Sequence, residues 1–204
     1  ERSVERGLFQ LQGVTMARAG MSDLIAELRG MTDAGTADYT VGTVSYWSDD
    51  HIQTELDYHR NEFKHILMES NPTVIAANAL EYKEFILSYQ NIESGAVFYV
   101  QDADGGTLGT ALYTLDAQRG VVTFAADTAG SILYATGRSY NMNGAAADVW
   151  RKKAANASRM YDFSTDNHSM KRSQYMQHCR QMAAIFDMQV GVQTADLIRS
   201  DLNA

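Results

Sequence analysis

The chain has 204 residues, 45% hydrophobic and 21% charged, with a formal net charge of −8, one proline and one cysteine. That is enough apolar material for one packed domain, or one core with an inserted subdomain, and too much for disorder as the main state. It excludes a disulfide framework or a multi-cysteine metal cage. No apolar run approaches the ~18–20 residues of a membrane-crossing helix, and the first twenty residues lack the apolar stretch of a secretory signal. The expected setting is a reducing cytoplasm or a particle assembled there, with no membrane partner. The chain does not open with Met, and Met16 and Met21 are candidate internal starts.

Charge is unevenly placed. Residues 1–137 carry eight Lys/Arg against nineteen Asp/Glu, residues 138–180 carry eight against three, and residues 181–204 carry one against three. An acidic total argues against a general nucleic-acid binder, because phosphate neutralisation needs a basic footprint. The segregation fits either solvated helix faces or a polar protomer whose basic face meets an acidic partner or an acidic copy of itself.

In chain order, Ser22 caps a short helix over 22–31, with Leu24, Ile25, Leu28 and Met31 at helical spacing. Gly30 and the cluster 32–35 end it. Residues 39–47, β-branched and aromatic, read as an extended lead-in. Ser48 then caps a second helix, with Asp49 and Asp50 at its positive end and Trp47 and Ile52 at hydrophobic-staple spacing. Ile52, Leu56, His59, Phe63, Ile66 and Leu67 carry that helix to about residue 68, where Asn71-Pro72 stops it.

The period then changes. Residues 96–100, 107–115, 121–125 and 131–140 read as strands, and 81–89 reads best as a strand with a helix as the alternative. Gly/Asp turns at 101–106 and 116–120 separate them, which predicts an antiparallel meander. Asn143 caps a third helix to about Tyr161, the link 162–168 is turn-rich, and Ser169 or Ser173 caps a last helix to about Met188. Gly191 breaks it. The expected fold class is α+β: a bundle of about four helices with an antiparallel β meander inserted between helices two and three. The expected division is an N-terminal extension (1–21), a helical core (22–79 and 141–188), an inserted β subdomain (80–140) and a C-terminal tail (189–204).

Candidate chemistry is sparse. His51, Glu55 and His59 share one face of the second helix at i, i+4, i+8, and Glu62 and His65 make one Glu-x-x-His pair. A di-metal site needs two such pairs, and zinc needs further ligands; surface residues are the plainer reading. Cys179, beside His178 on a helix, is read as a small core residue. Gly105-Gly106-Thr107-Leu108-Gly109 lacks a Walker lysine and precedes a strand, so it reads as a turn. There is no nucleophile elbow. The expectation is no enzyme, no catalytic residue, no cofactor and no metal. Ten methionines and eleven tyrosines suit a core or an adaptable protein–protein surface.

Residues 23–29, Trp47-Ser48-Asp49-Asp50 opening a helix with Leu56-Asp57-Tyr58-His59-Arg60, and a β-rich insert ending in Gly137-Arg138-Ser139-Tyr140-Asn141 form a pattern. It continues with Ala145-Ala146-Ala147-Asp148-Val149-Trp150 leading to Asp162-Phe163-Ser164-Thr165-Asp166, and with a last helix opening Lys171-Arg172-Ser173-Gln174. Over residues 22–188 this resembles the head–tail adaptor (connector) proteins of tailed bacteriophages. The β insert is larger than in the leanest helical members.

The resemblance implies a structural virion protein of the phage neck, assembled in the host cytoplasm. It implies a homo-oligomeric ring, dodecameric to match the portal, that docks on the portal protein and connects it to stopper or tail proteins. DNA would pass through the channel without specific binding. Residues 189–204 become the candidate portal-docking arm. Ring or portal contacts are expected at Arg151, Lys152, Lys153, Lys171 and Arg172, and at Asp196, Leu197 and Ile198. The alternatives are another neck or tail component, a stopper or tail terminator, or a metal-binding helical protein using His51, Glu55, His59, Glu62 and His65.

Overall fold

In a computed structural model of the chain, the structure describes residues 17–75, 79–159, 163–165, 168–170 and 172–190. It is mixed α/β, with four α-helices and antiparallel strands throughout. Helix α1 (Ser22–Thr32) buries Leu24, Ile25 and Leu28 on one face and ends on Asp33, which takes left-handed backbone angles. A small hairpin follows, β1 (Tyr39–Val41) paired with β2 (Val44–Tyr46). Helix α2 (Asp49–Tyr58) opens on the expected Ser48 cap. The Ser48 hydroxyl accepts from the His51 backbone N–H, and the His51 ring reaches back to the Ser48 N–H.

Helix α2 is shorter than its apolar spacing predicts. It ends at Tyr58, and residues 60–67 form strand β3 (Arg60–Leu67), paired with β9 (Tyr134–Tyr140). The register of that pair shifts between Phe63 and Ile66, where His65 sits at positive φ. The bulge puts Phe63 and Ile66 three residues apart on the inner side, a spacing that imitates a helix turn. Pro72, expected to end a helix, lies instead in β4 (Glu69–Val74), an edge strand with its own register shift between Asn71 and Thr73. An edge is where a missing ladder N–H does little harm.

The strands between α2 and α3 divide into two sheets, where one meander was expected. One sheet has the order β3-β9-β6, with β6 spanning Tyr99–Gln101. The other has the order β4-β5-β8-β7, with β5 (Leu80–Ile86), β7 (Tyr113–Asp116) and β8 (Val121–Phe124). Only the second keeps hairpin neighbours side by side. Phe63, Phe85, Phe98, Val100, Val122 and Ala135 share the sheet core. There Gly137 is required, because a Cβ would stand 2.9 Å from the Phe63 ring and 3.0 Å from that of Phe98.

Helix α3 (Met142–Ala157) is capped by Asn141, whose side chain accepts from the Gly144 N–H. Its small residues Gly144, Ala145, Ala146 and Ala147 are buried, so neighbouring elements approach closely. Helices α1, α2 and α4 (Arg172–Gln189) all pack on α3. Met21, Trp47, Ile52, Leu56 and Val149 belong to the helical core. Met21 thus draws the end of the expected N-terminal extension into the fold. Before α4, β10 (Phe163–Thr165) pairs with β11 (His168–Met170) in the stretch read as turns. Of the expected tail, 189–204, Gln189 is the last residue of α4 and residues 191–204 lie outside the described residues.

Candidate functional site

Helix α3 presents three consecutive basic residues at 151–153, and the fold gives each a different partner. Lys153 points inward and is only 3% exposed. Its ammonium donates to the backbone carbonyls of Thr32 (2.9 Å) and Asp33 (2.6 Å) and pairs with Asp38 at 2.7 Å. It also lies 5.1 Å from the centre of the Trp150 ring. A cation is thereby held at the C-terminal end of α1, where the carbonyls lack helical partners and the helix dipole is negative. Trp150 Nε1 donates to the Met31 carbonyl at 3.3 Å in the same turn. Lys153 therefore acts within its own protomer as a bolt between α1 and α3, and it is withdrawn from the surface contacts expected of it.

Lys152 reaches α2, where it pairs with the buried Glu55 and sits 6.0 Å from the Tyr58 ring centre. Arg151 bridges α3 to α4 through Asp148 and Asp187. Asp148 is also bonded to His59 Nε2 at 2.8 Å. Burial pushes the Asp148 carboxyl up, but the hydrogen bonds from His59 and Arg151 outweigh it and hold the group below the usual carboxylate range. About half of each of the Arg151 and Lys152 side chains stays in water. Both therefore brace the helices while remaining open to a neighbour. Arg172 begins α4. The side chains of Lys171 and Arg172, and all of Asp196, Leu197 and Ile198, lie outside the described residues.

The histidines and glutamates of the alternative metal reading are dispersed, because the helix they were placed on stops at Tyr58. His51 caps α2, Glu55 meets Lys152, and His59 meets Asp148. Glu62 lies on β3 near Arg60 and Arg138, and His65 stacks on Tyr134 at a centroid distance of 3.9 Å. Among the described residues, no group of three or more His, Cys, Asp or Glu side chains is arranged to hold a metal.

A second cluster joins the helical and sheet cores, and nothing in the residue spacing announced it. Arg18 forms a bidentate pair with Asp57 at 2.7 and 2.9 Å, and its Nε donates to Glu93 at 3.0 Å. Glu93 is 1% exposed and also accepts from the Tyr140 hydroxyl at 2.6 Å. Arg138 stands 3.7 Å from the other side of that carboxyl. Burial, with the hydrogen bond to Glu93, pushes the Tyr140 hydroxyl far above its ordinary value, so it stays a donor. With Arg60 and Glu62 alongside, three guanidiniums face three carboxyls, and the cluster is neutral. Its bonds span sequence separations of 39, 75 and 122 residues, beyond the reach of any local motif.

Beside this cluster lies a shallow cleft of about 300 Å³ that includes Asn61, Gln90, Asn91, Asn141, Asn143 and Gln189 in its walls. Among the described residues its walls carry no carboxylate, ammonium or guanidinium, and they offer amide and hydroxyl groups for hydrogen bonds. Cys179, the lone thiol, is fully buried among Trp150, Ala154 and Ala183, and burial raises its pKa further from reactivity. Compared with protein-family models and with curated protein sequences, the chain matches none.

Large hydrophobic side chains are exposed at several places, Tyr58, Leu67, Leu112 and Ile132 among them. Among the large hydrophobic side chains, Val74, Ile75 and Leu80 are exposed at the far end of the β4–β5 hairpin, and Tyr175, Ile185 and Met188 along α4. Among the described residues, no helix is long and apolar enough to cross a membrane.

Proposed function

We propose that the chain is a head–tail adaptor of the tailed-phage neck, a structural protein that forms a ring on the portal and connects it to the next neck or tail component. The four helices are read as one bundle-like unit carrying the portal-facing surface, with the strand-rich stretch between α2 and α3 as an inserted subdomain. The observation that carries the reading is the fate of the charged side chains. Many of the charged side chains are paired inside the protomer, in the Lys153 bolt, the Asp148 bridge and the Glu93 cluster. Large apolar side chains stay exposed on several elements, Tyr58 of α2, Leu67 of β3, Val74 and Leu80 of the β4–β5 hairpin and Met188 of α4 among them. Such a protomer is suited to neighbours more than to a substrate.

Two further features support the reading. The order of helices and β insert follows the head–tail adaptor resemblance over residues 22–188. The overall acidity of −8 suits a channel wall that lets DNA pass. The test is co-expression of the full chain with the portal protein of the same genome, followed by co-purification and electron microscopy. The reading expects a stable complex with the chain as a closed ring on the portal, twelve copies to the portal's twelve. Binding to isolated tail components with no affinity for portal would instead mark a stopper or tail terminator.

A further inference from the structure

The cleft of about 300 Å³ beside the Glu93 cluster lies where the start of β3, the loop 88–91, the end of β9, the first turn of α3 and the last residue of α4 meet. Strand register places its inner groups. Asn61 of β3 is paired with Ser139 of β9, so their side chains leave the sheet on the same face, the face that also carries Phe63. The Tyr89 ring stacks on Phe63 at a centroid distance of 4.6 Å, and Tyr89 forms part of the cleft wall.

Ser139 is only 3% exposed, yet among the described residues its hydroxyl has no hydrogen-bond partner, and it borders the cleft. A buried hydroxyl without a partner costs free energy, and the cleft is where a partner can enter. The side-chain amides of Asn61, Gln90, Asn91 and Gln189 also line the cleft and are bonded to no described residue. Asn141 spends its Oδ1 on the Gly144 N–H and keeps its amide N–H groups, whereas Asn143 spends an N–H on the Gln189 carbonyl at 3.2 Å and keeps its Oδ1.

The frame is held before any ligand arrives. Asn91 takes left-handed backbone angles, with φ at 54°. Its N–H donates to the Gln118 carbonyl at 3.3 Å, and its own carbonyl accepts from the Tyr140 N–H at 3.0 Å. The loop is thus clipped to β9, which lowers the ordering cost of binding.

The wall chemistry selects the occupant. An ion would shed its water and meet no opposite charge among these groups. An apolar molecule would strand the amides. An extended peptide is read through main-chain bonds along a sheet edge, whereas here side chains supply the contacts. A ring bearing adjacent hydroxyls fits each part. A hydroxyl both donates and accepts, as does a carboxamide, and the C–H face of such a ring can lie on an aromatic side chain. The volume is at the lower end of ligand clefts, which run from about 300 to 1,000 Å³, and suits a small occupant.

We propose that this cleft is a saccharide-binding site that takes one neutral pyranose unit, with Asn61, Gln90, Asn91 and Ser139 on its hydroxyls and Tyr89 against its ring. The inference goes beyond the adaptor reading and does not require self-association.

The experiment uses the full chain and named neutral probes: glucose, galactose, mannose, N-acetylglucosamine and maltose. Binding is followed by saturation-transfer difference NMR and calorimetric titration, with phosphate and acetate as anionic probes. The expected result is binding of at least one sugar in the millimolar range, unaffected by raised salt and not displaced by either anion. Ser139→Ala and Gln90→Ala should each weaken it by about five- to tenfold. The melting temperature of Ser139→Ala should not fall, because the hydroxyl removed has no partner to lose; this separates loss of the site from loss of the fold.

Failure of every sugar at its solubility limit, unchanged affinity in both variants, or displacement of the sugar by phosphate or acetate would overturn the proposal. Sugar binding is scored apart from portal binding. A chain that binds sugar and ignores the portal keeps this site and loses the adaptor reading, and a portal-bound chain indifferent to every sugar does the reverse.

Discussion

Replacing Lys153 with Met is the sharpest test of how the helical unit is held. Met keeps most of the aliphatic stem, so the perturbation is the charge and its three bonds. The ammonium serves the Thr32 and Asp33 carbonyls at the end of α1, and Asp38, from a site only 3% exposed. Breaking a buried charge pair by removing one partner costs about 3–5 kcal/mol, because the survivor is left uncompensated. Here the survivor can rehydrate, since the Asp38 side chain keeps 23% of its surface in water. The two carbonyls add the cost of orphaned acceptors, about 1 kcal/mol each when buried.

A loss near the lower end follows, about 3 kcal/mol. For a chain of this size that corresponds to a melting temperature lower by about 6–12 °C. The assay is thermal and urea unfolding followed by circular dichroism at low protein concentration, with Arg151→Ala as the comparison. Arg151 pairs across half-exposed groups, and its removal should cost no more than about 1 kcal/mol. A Lys153→Met protein that melts within a degree or two of wild type but no longer associates would refute the reasoning. It would move Lys153 from the inside of the protomer to the subunit interface.

Three further outcomes are expected. Arg18→Met leaves Glu93 with Arg138 as its nearest cation and should cost about 2–3 kcal/mol; in a double-mutant cycle with Tyr140→Phe, urea unfolding should show coupling of about 0.5–3 kcal/mol, and simple additivity would contradict a shared network. The folded-state pKa of Asp148 lies below its ordinary value of 3.8, so its contribution is present above that value and lost as pH falls through the depressed one; the stability gap between wild type and Asp148→Asn should therefore be steady near neutrality and close in strong acid, and a gap that widens there would contradict the sign. Gly137→Ala pushes a methyl into Phe63 and Phe98 and should destabilise by about 1–3 kcal/mol, read by thermal melting, whereas the open position Gly30→Ala should not.

Much of the local structure was legible in the residues, and the reasons are physical. The Ser48 cap and Trp47 fixed the start of α2, Asn141 lies two residues before the cap expected for α3, and the turn at 116–120 separates β7 from β8 as read. The end of α2 was not legible. Phe63 and Ile66 keep an inward spacing of three only because a bulge intervenes, and the strand is fixed by β9, some seventy residues away. The same non-local pairing set the sheet order, which no turn signal encodes.

The candidate contact residues show the same division. That 151–153 is a basic run could be read directly. That Lys153 turns inward follows from helix rotation against α1 and from the carbonyls waiting at Thr32 and Asp33. Glu93 carried no signal, since an isolated acidic residue in a loop looks like any solvated one until Arg18, Arg138 and Tyr140 are brought around it.

The central claim is that this surface was shaped for protein neighbours in a neck ring. Its most direct measurement is the mass of the complex formed when the purified full chain meets the portal of the same genome, determined by native mass spectrometry. The account predicts a discrete species holding one adaptor chain per portal chain. A portal spectrum unchanged at any excess of the chain, or a scatter of sub-stoichiometric adducts, would contradict it.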